Sequence, residues 1–247
     1  MLDAGRLAAL RARAVAHRGR IGDDPEQALS SLQRLPRWVR GVEVDVRISA
    51  DGVPVLMHDP SVDRTTDGHG DVADLHLEEI AALTLLPAER VPTLAAYLAA
   101  CADRGVEDVY LHLKVTSKAA VAAVVADLRA ANMVARSVLL FRQVDKARRA
   151  HALEPGLRVG LLGTTSDGLD VRLRLALEGV VSLLLTPRGD ERYLAQRDVV
   201  AAARAAGVRV GASTLRGPGA HRAALQDGCD VIITDALHLL GGADAPA

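Results

Sequence analysis

The chain is poor in cysteine and in aromatic residues, and it has no surplus of charge of either sign. Two cysteines, Cys101 and Cys229, cannot form a disulfide framework, and such sparse usage suits a reducing compartment. One Trp, three Tyr and one Phe leave no platform for stacking nucleic-acid bases. Thirty Lys and Arg against 31 Asp and Glu lack the basic footprint of a nucleic-acid binder. No apolar run approaches the length of a membrane span. Arg6, Arg11 and Arg13 interrupt the N-terminal stretch, so it does not read as a signal peptide. The expectation is a cytoplasmic protein with no nucleic-acid partner and no membrane span. Walker A and G-x-G-x-x-G motifs are absent, and the glycines of TTDGHGD read as a turn.

What is present is an alternation. Short apolar runs read as strands at Ala14–His17, Val42–Val46, Val53–His58, Val109–Lys114, Ser137–Phe141, Leu157–Leu162, Val180–Leu184, Val208–Ala212 and Val231–Thr234. Between them lie amphipathic stretches. In Lys118–Ala131, Val121, Val124, Val125 and Leu128 repeat at helical spacing, and Val199, Val200 and Ala203 do so before Gly207. Alternation over the whole length implies parallel strands with crossover helices. The 247 residues match one closed barrel of roughly 250 residues. A single-domain TIM (β/α)8 barrel over residues 1–240 is expected, with a disordered tail at 241–247. A doubly wound open sheet is the alternative.

The ionisable residues cluster at the ends of the early strands. His17 and Arg18 close the first. Glu43 and Asp45 lie two apart in VEVDV and so share a face. His58 ends VPVLMHD, and His112 and Lys114 again lie two apart in VYLHLKV. A lone histidine there is commonly structural, and two acids two apart are commonly a solvated face. Inside apolar strands expected to be buried on both sides, such charges need partners or a metal. In a parallel barrel, C-terminal strand ends converge on the active-site face. Two carboxylates suit a hard divalent cation. Arg18 and Lys114 suit a phosphate oxyanion. His17 and His58 suit general acid–base work near neutral pH. The combination suggests cleavage of a phosphate ester.

These residues also occur in a recognisable order. His17-Arg18-Gly19, Pro25-Glu26, Glu43-Val44-Asp45, Asp51-Gly52 through His58-Asp59, Arg64-Thr65-Thr66 with Gly68, Pro92-Thr93-Leu94 and His112-Leu113-Lys114 follow one another, and Gly228–Asp235 closes the chain. The set resembles the glycerophosphodiester phosphodiesterase family over nearly the full length. The resemblance implies a TIM barrel. It also implies metal-dependent hydrolysis of a small-molecule glycerophosphodiester to an alcohol and glycerol 3-phosphate, by way of a cyclic phosphate. By position it makes His17 and His58 the acid–base pair. Glu43, Asp45 and His112 become the metal ligands, and Arg18, Lys114 and Glu26 the substrate-binding residues, with Glu26 orienting Arg18 or the substrate.

The chain departs from the family pattern in places. The family's third metal carboxylate is His112. A set of two carboxylates and an imidazole suits Mn²⁺, Co²⁺ or Zn²⁺ better than the Mg²⁺ or Ca²⁺ that the resemblance implies. The family's PENT is Pro25-Glu26-Gln27-Ala28, and its aromatic-rich late strand is Ala212-Ser213-Thr214-Leu215. The stretch from Thr66 to Pro92 is short for the family's glycerol-recognising insertion. Two further readings stay open. One is a catalytically impaired relative that binds a phosphate ligand. The other is a lipid-headgroup phosphodiesterase similar to sphingomyelinase D. The remaining histidines (His69, His76, His151, His221, His238) read as surface or capping residues. Asp235 reads as a helix cap, the cysteines as buried apolar residues, and Trp38 as packing under the first helix.

Overall fold

The computed structural model describes residues 3–85 and 88–241. In chain order the elements are α1 (Ala4–Arg11), β1 (Ala14–His17), α2 (Leu29–Arg34), β2 (Gly41–Ile48), β3 (Pro54–Leu56), α3 (Leu77–Ala82), β4 (Thr84–Leu85), β5 (Glu89–Arg90) and α4 (Leu94–Arg104). They continue with β6 (Asp108–Leu113), α5 (Lys118–Ala130), β7 (Ser137–Phe141), α6 (Val144–Leu153), β8 (Arg158–Leu161) and α7 (Leu169–Leu177). The last part holds β9 (Leu183–Leu185), α8 (Asp190–Leu194), α9 (Arg197–Ala205), β10 (Val210–Leu215), α10 (Pro218–Gln226) and β11 (Val231–Thr234).

Strands β1, β2, β6, β7, β8, β9, β10 and β11 pair in parallel in that order, and β11 returns to β1. The sheet therefore closes into a TIM barrel of a single domain, and the open-sheet alternative is excluded. One expected strand has a different role. The run around Val53–His58 contributes only β3, which pairs antiparallel with β2 as a hairpin arm. The cause is local: Asp51-Gly52 makes a tight return, with Gly52 at φ 87. His58 therefore follows a hairpin arm and not a barrel strand. Of the expected tail at 241–247, residues 242–247 lie outside the described residues.

Side-chain alternation divides the core into two layers. Val15, Tyr110, Val138, Leu140, Leu183, Leu185, Val231 and Ile233 point into the barrel. Val42, Val44, Val109, Leu111, Leu139, Val159 and Ile232 point outward against the helices. The expected stripe of α5 is buried as Val121, Val124, Val125 and Leu128. Ser117 and Thr93 cap α5 and α4 through their hydroxyls, accepting from Ala120 N and Ala96 N. The excursion between β2 and α4 has its own apolar cluster, including Val55, Met57, Val62, Val72 and Ile80. The guanidinium of Arg11 stacks 5.1 Å from the centre of the Trp38 ring, against α1 as expected. Cys101 and Cys229 are buried free thiols. No helix among the described residues is long and apolar enough to cross a membrane.

With so few aromatics, the interior is closed by small and branched residues in tight contact. A Cβ added at Gly211 of β10 would stand 2.6 Å from the Val231 carbonyl oxygen and 2.8 Å from Leu185 Cδ2. Gly211→Ala is expected to cost about 1–3 kcal/mol of stability, read by denaturant unfolding. An unchanged midpoint would mean that β10 and β11 do not approach this closely.

Candidate active site

The register of three neighbouring strands assembles the site. His17 of β1 pairs with Glu43 of β2, and Asp45 pairs with His112 of β6. All four side chains are buried. Glu43, Asp45 and His112 each present a donor atom within 4.8 Å of the others. His17 Nε2 lies 3.7 Å from Glu43 Oε2.

Two buried carboxylates so close together repel each other. Burial, and then the charge of Asp45, raise the Glu43 carboxyl to about 8. For Asp45 burial pushes upward too, but His112 and Lys114 outweigh it and hold the group well below the usual carboxylate range. Lys114 Nζ sits 2.7 Å from Asp45 Oδ1 and 3.1 Å from His112 Nδ1. Its ammonium thus bridges two acceptor atoms that themselves lie 3.1 Å apart. Burial lowers the pKa of His112 against the pull of Asp45, which keeps the imidazole in the neutral form a metal needs. Two carboxylates and a neutral imidazole converging on one point, where an ammonium already finds two acceptors, fit a divalent cation.

Gln27 supports this cluster. Its Nε2 donates to Asp45 Oδ2 at 3.1 Å, and its Oε1 accepts from Asp45 N at 2.8 Å. The departure from the family's PENT is therefore a buried clamp on a candidate ligand. Gln27 holds this place in a left-handed conformation, φ 64, and Arg18 does likewise at φ 56. Gly19, at φ 63, completes the turn. A Cβ there would fall 2.1 Å from Tyr97 Oη, so the third residue of the His-Arg-Gly run has no room for a side chain.

His17 is held from both sides. Its Nδ1 is 2.5 Å from Asp235 Oδ1, and its Nε2 is 2.7 Å from Arg188 Nη2. A guanidinium can only donate, so Nε2 is the accepting nitrogen and the ring proton lies on Nδ1, directed at Asp235. Burial lowers the pKa of His17, and Arg188 adds to this against the pull of Asp235. Asp235 is itself held well below the usual carboxylate range, since His17 and Arg216 outweigh its burial. A neutral imidazole donating to an ionised carboxylate satisfies both tendencies.

His58 has the same arrangement at the hairpin. Its Nδ1 lies 2.6 Å from Asp59 Oδ1, and Arg47 holds its carbonyl oxygen through Nη2 at 2.9 Å. Asp59 is bonded to Arg64, and Arg64 Nη2 donates to Glu26 Oε1 at 2.7 Å. Glu26 accepts from Arg18 Nη1 at 2.7 Å, and Arg18 Nε lies 3.8 Å from Asp45 Oδ2. Burial would raise the Glu26 carboxyl, but Arg64 and Arg18 overcome it. One chain of alternating charges thus links the hairpin to the strand ends. Every residue expected at the site from the sequence (His17, Arg18, Glu26, Glu43, Asp45, His58, His112, Lys114) lies in this assembly.

Three residues were not expected there. Asp235 does not cap the helical turn after β11; it pairs with His17. The C-terminal end of a barrel strand is where polar residues face the site, and that rule applies to β11 as to the others. Gln27 carried no chemical signal of its own. Arg188 follows β9 without any motif. One histidine also differs: His221 is neither exposed nor a cap but buried, with ring nitrogens 2.8 Å from Gly217 O and 2.8 Å from Thr234 Oγ1.

Buried Glu43 yields a pH prediction for protein treated with a chelator. Its folded pKa is raised above the unfolded one, so its contribution is present at low pH and is lost as pH rises from about 5 to about 8. The comparison is with Glu43→Gln, which removes the titrating carboxyl. Wild type is expected to lose stability relative to that variant across this range in thermal melts. A constant difference would mean that Glu43 is already ionised and compensated.

Comparison with known proteins agrees with this geometry. The pattern of the Glycerophosphoryl diester phosphodiesterase family matches residues 17–239. Glycerophosphodiester phosphodiesterase 1 of Bos taurus is 43% identical over 101 residues, covering 37% of this chain and 30% of that protein. The aligned part thus spans under a third of that relative. A glycerophosphodiester phosphodiesterase of Agrobacterium tumefaciens superposes with a TM-score of 0.76 at 25% identity, over 93% of this chain and 98% of its own. A phosphodiesterase of Oleispira antarctica, solved with the product sn-glycerol-3-phosphate, shares the fold with a TM-score of 0.78 at 24% identity, over 92% of this chain and 94% of its own. A family pattern running from the histidine of β1 to the turn beyond β11 takes in every residue of the assembly, and the chain belongs to the glycerophosphoryl diester phosphodiesterase family.

Proposed function

We propose that the chain is a metal-dependent phosphodiesterase that hydrolyses glycerophosphodiesters to an alcohol and glycerol 3-phosphate. The observation that carries the reading is the pair of histidine–carboxylate units, His17–Asp235 and His58–Asp59, set around the buried Glu43, Asp45 and His112. The glycerol 3-phosphate bound to the Oleispira phosphodiesterase supports a small-molecule substrate of this kind.

Each histidine has its Nδ1 proton on a carboxylate, which leaves Nε2 to exchange protons with substrate. One histidine takes the proton of the attacking glycerol hydroxyl as its oxygen bonds to phosphorus, and the other, entering as imidazolium, gives its Nε2 proton to the alcohol oxygen as that P–O bond breaks; water then opens the cyclic phosphate with the two roles reversed. Burial lowers the pKa of both, which favours the proton-accepting form of the base, while Asp235 and Asp59 pull the other way and support the imidazolium that the acid needs. Arg18 and Lys114 receive the phosphate oxygens. Glu26 holds the Arg18 fork in place, and Arg64 ties Glu26 to the Asp59 that orients His58. Arg188 donates to His17 Nε2 in the absence of substrate, and a phosphate oxygen arriving there takes over that donor. Glu43, Asp45 and His112 would hold a divalent cation, which supplies charge neutralisation for the phosphate. His112 in place of a carboxylate favours Mn²⁺, Co²⁺ or Zn²⁺.

A second reading, phosphate binding without turnover, draws support from the Lys114 ammonium bridging two of the candidate ligands. A turnover assay separates the two. On a panel of glycerophosphodiesters with cationic, neutral and anionic alcohol arms (glycerophosphocholine, glycerophosphoethanolamine, glycerophosphoinositol), hydrolysis of at least one is expected with Mn²⁺ or a similar ion, and of none after chelation. No release of glycerol 3-phosphate with any divalent metal would favour binding alone. His17→Ala and His58→Ala are each expected to cost about 10²-fold or more in kcat, and a smaller loss removes that residue from the chemistry. His112→Glu is expected to shift the preference toward Mg²⁺ or Ca²⁺; an unchanged metal profile would mean that His112 is not a ligand.

A further inference from the structure

Beyond Lys114 the site opens into a pocket of 240 Å³ between the ends of β6 and β7, lined by Lys114, Thr116, Arg142, Gln143 and Lys146. Thr116 and Lys146 also line an adjoining pocket of 300 Å³ between α5 and α6, where Lys118 and Arg149 join them. The two form one furrow leading outward from the candidate metal ligands. Both pockets carry cations, set in the outer one beside the apolar Val121, Ala152 and Leu153, and no carboxylate lines either pocket. Asp145, on α6, is drawn to Arg149 at 3.6 Å. Among the described residues, neither Arg142, Lys146 nor Lys118 has an ion-pair partner.

Arg142 lines the inner pocket together with His112 and Lys114, so this arginine faces the reacting end of the furrow. Like charges gathered without counter-ions oppose the folded state, and an anion relieves them. An ammonium headgroup would meet the opposite situation. It would be repelled by Arg142 and Lys146, and the aromatic residue lining the pocket, Phe141, is only 1% exposed and offers no open face for a cation–π contact. The 240 Å³ of the inner pocket leaves room for more than the scissile phosphate.

We propose that this furrow is the subsite for the alcohol arm of the substrate, and that it selects alcohols bearing a second phosphate, held between Arg142 and Lys146. The proposal rests on the reading of the neighbouring cluster as a phosphodiesterase site and adds the substrate class. Arg142 and Lys146 are specificity residues here and take no part in proton transfer. A guanidinium fork and an ammonium together satisfy a phosphate monoester better than either alone.

The test is a calorimetric titration of the chelator-treated full chain at low salt with three probes: glycerophosphocholine, glycerophosphoinositol and glycerophosphoinositol 4-phosphate. The added phosphate is expected to tighten binding by at least about tenfold over glycerophosphoinositol. The gain is expected to shrink as salt is raised. The double variant Arg142→Ala, Lys146→Ala is expected to lose this gain, keep its affinity for glycerophosphoinositol and melt like wild type. Equal affinity for the three probes, no detectable binding of the phosphate-bearing one, or a gain that survives in the double variant overturns the proposal. Turnover of glycerophosphoinositol by the metal-loaded chain, measured alongside, keeps the two readings apart. Hydrolysis without a phosphate gain removes the subsite alone. A phosphate gain without hydrolysis removes the phosphodiesterase reading and leaves the furrow as an anion site.

Discussion

Two carboxylates buried side by side at the mouth of the barrel set the terms for everything around them. Glu43 and Asp45 share one face of β2, and neither has bulk water to neutralise it. Isolated buried charges of one sign are not tolerated. The neighbouring elements accordingly supply positive charge or donors: Lys114 and His112 from β6, Arg18 from the turn after β1, and Gln27 from the loop before α2. Even so, burial, and then the charge of Asp45, keeps the Glu43 pKa raised, so a second full negative charge is poorly accommodated there without a further cation. A divalent cation answers that need, and so does the chemistry of the family.

The barrel makes this arrangement possible because parallel register places residues of different strands at one height. His17 beside Glu43 and Asp45 beside His112 follow from the pairing of β1, β2 and β6. The outer layer of packed helices leaves the C-terminal ends free to carry polar groups, while the inward residues below them seal the interior. The hairpin β3 then brings His58 to the same cluster from outside the barrel, held by Arg47 and the Asp59–Arg64–Glu26 chain. The two histidines therefore reach one site by unrelated routes, and each arrives with a carboxylate partner.

The barrel was legible in the alternation of apolar runs and amphipathic stretches, because parallel strands buried on both faces read as short continuous apolar segments. Val53–His58 has that appearance too, yet the Asp51-Gly52 turn folds it back antiparallel; periodicity alone does not separate a hairpin arm from a barrel strand. At the site, residues next to apolar strand ends were readable because a charge inside such a run needs a reason. Arg188 and Gln27 stand in loops whose paths depend on tertiary packing, and no local pattern announces them. Asp235 was readable in principle, since it closes β11 as His17 closes β1, but its side chain serves a strand that neighbours it only through barrel closure, 218 residues away in the chain.

Glu43, Asp45 and His112 are proposed as one cation site. Electron paramagnetic resonance of the chelator-stripped chain titrated with Mn²⁺ tests it directly. One bound ion per chain is predicted, and it should be lost in Glu43→Gln and in Asp45→Asn. No bound Mn²⁺, or binding that persists in both variants, would contradict the account.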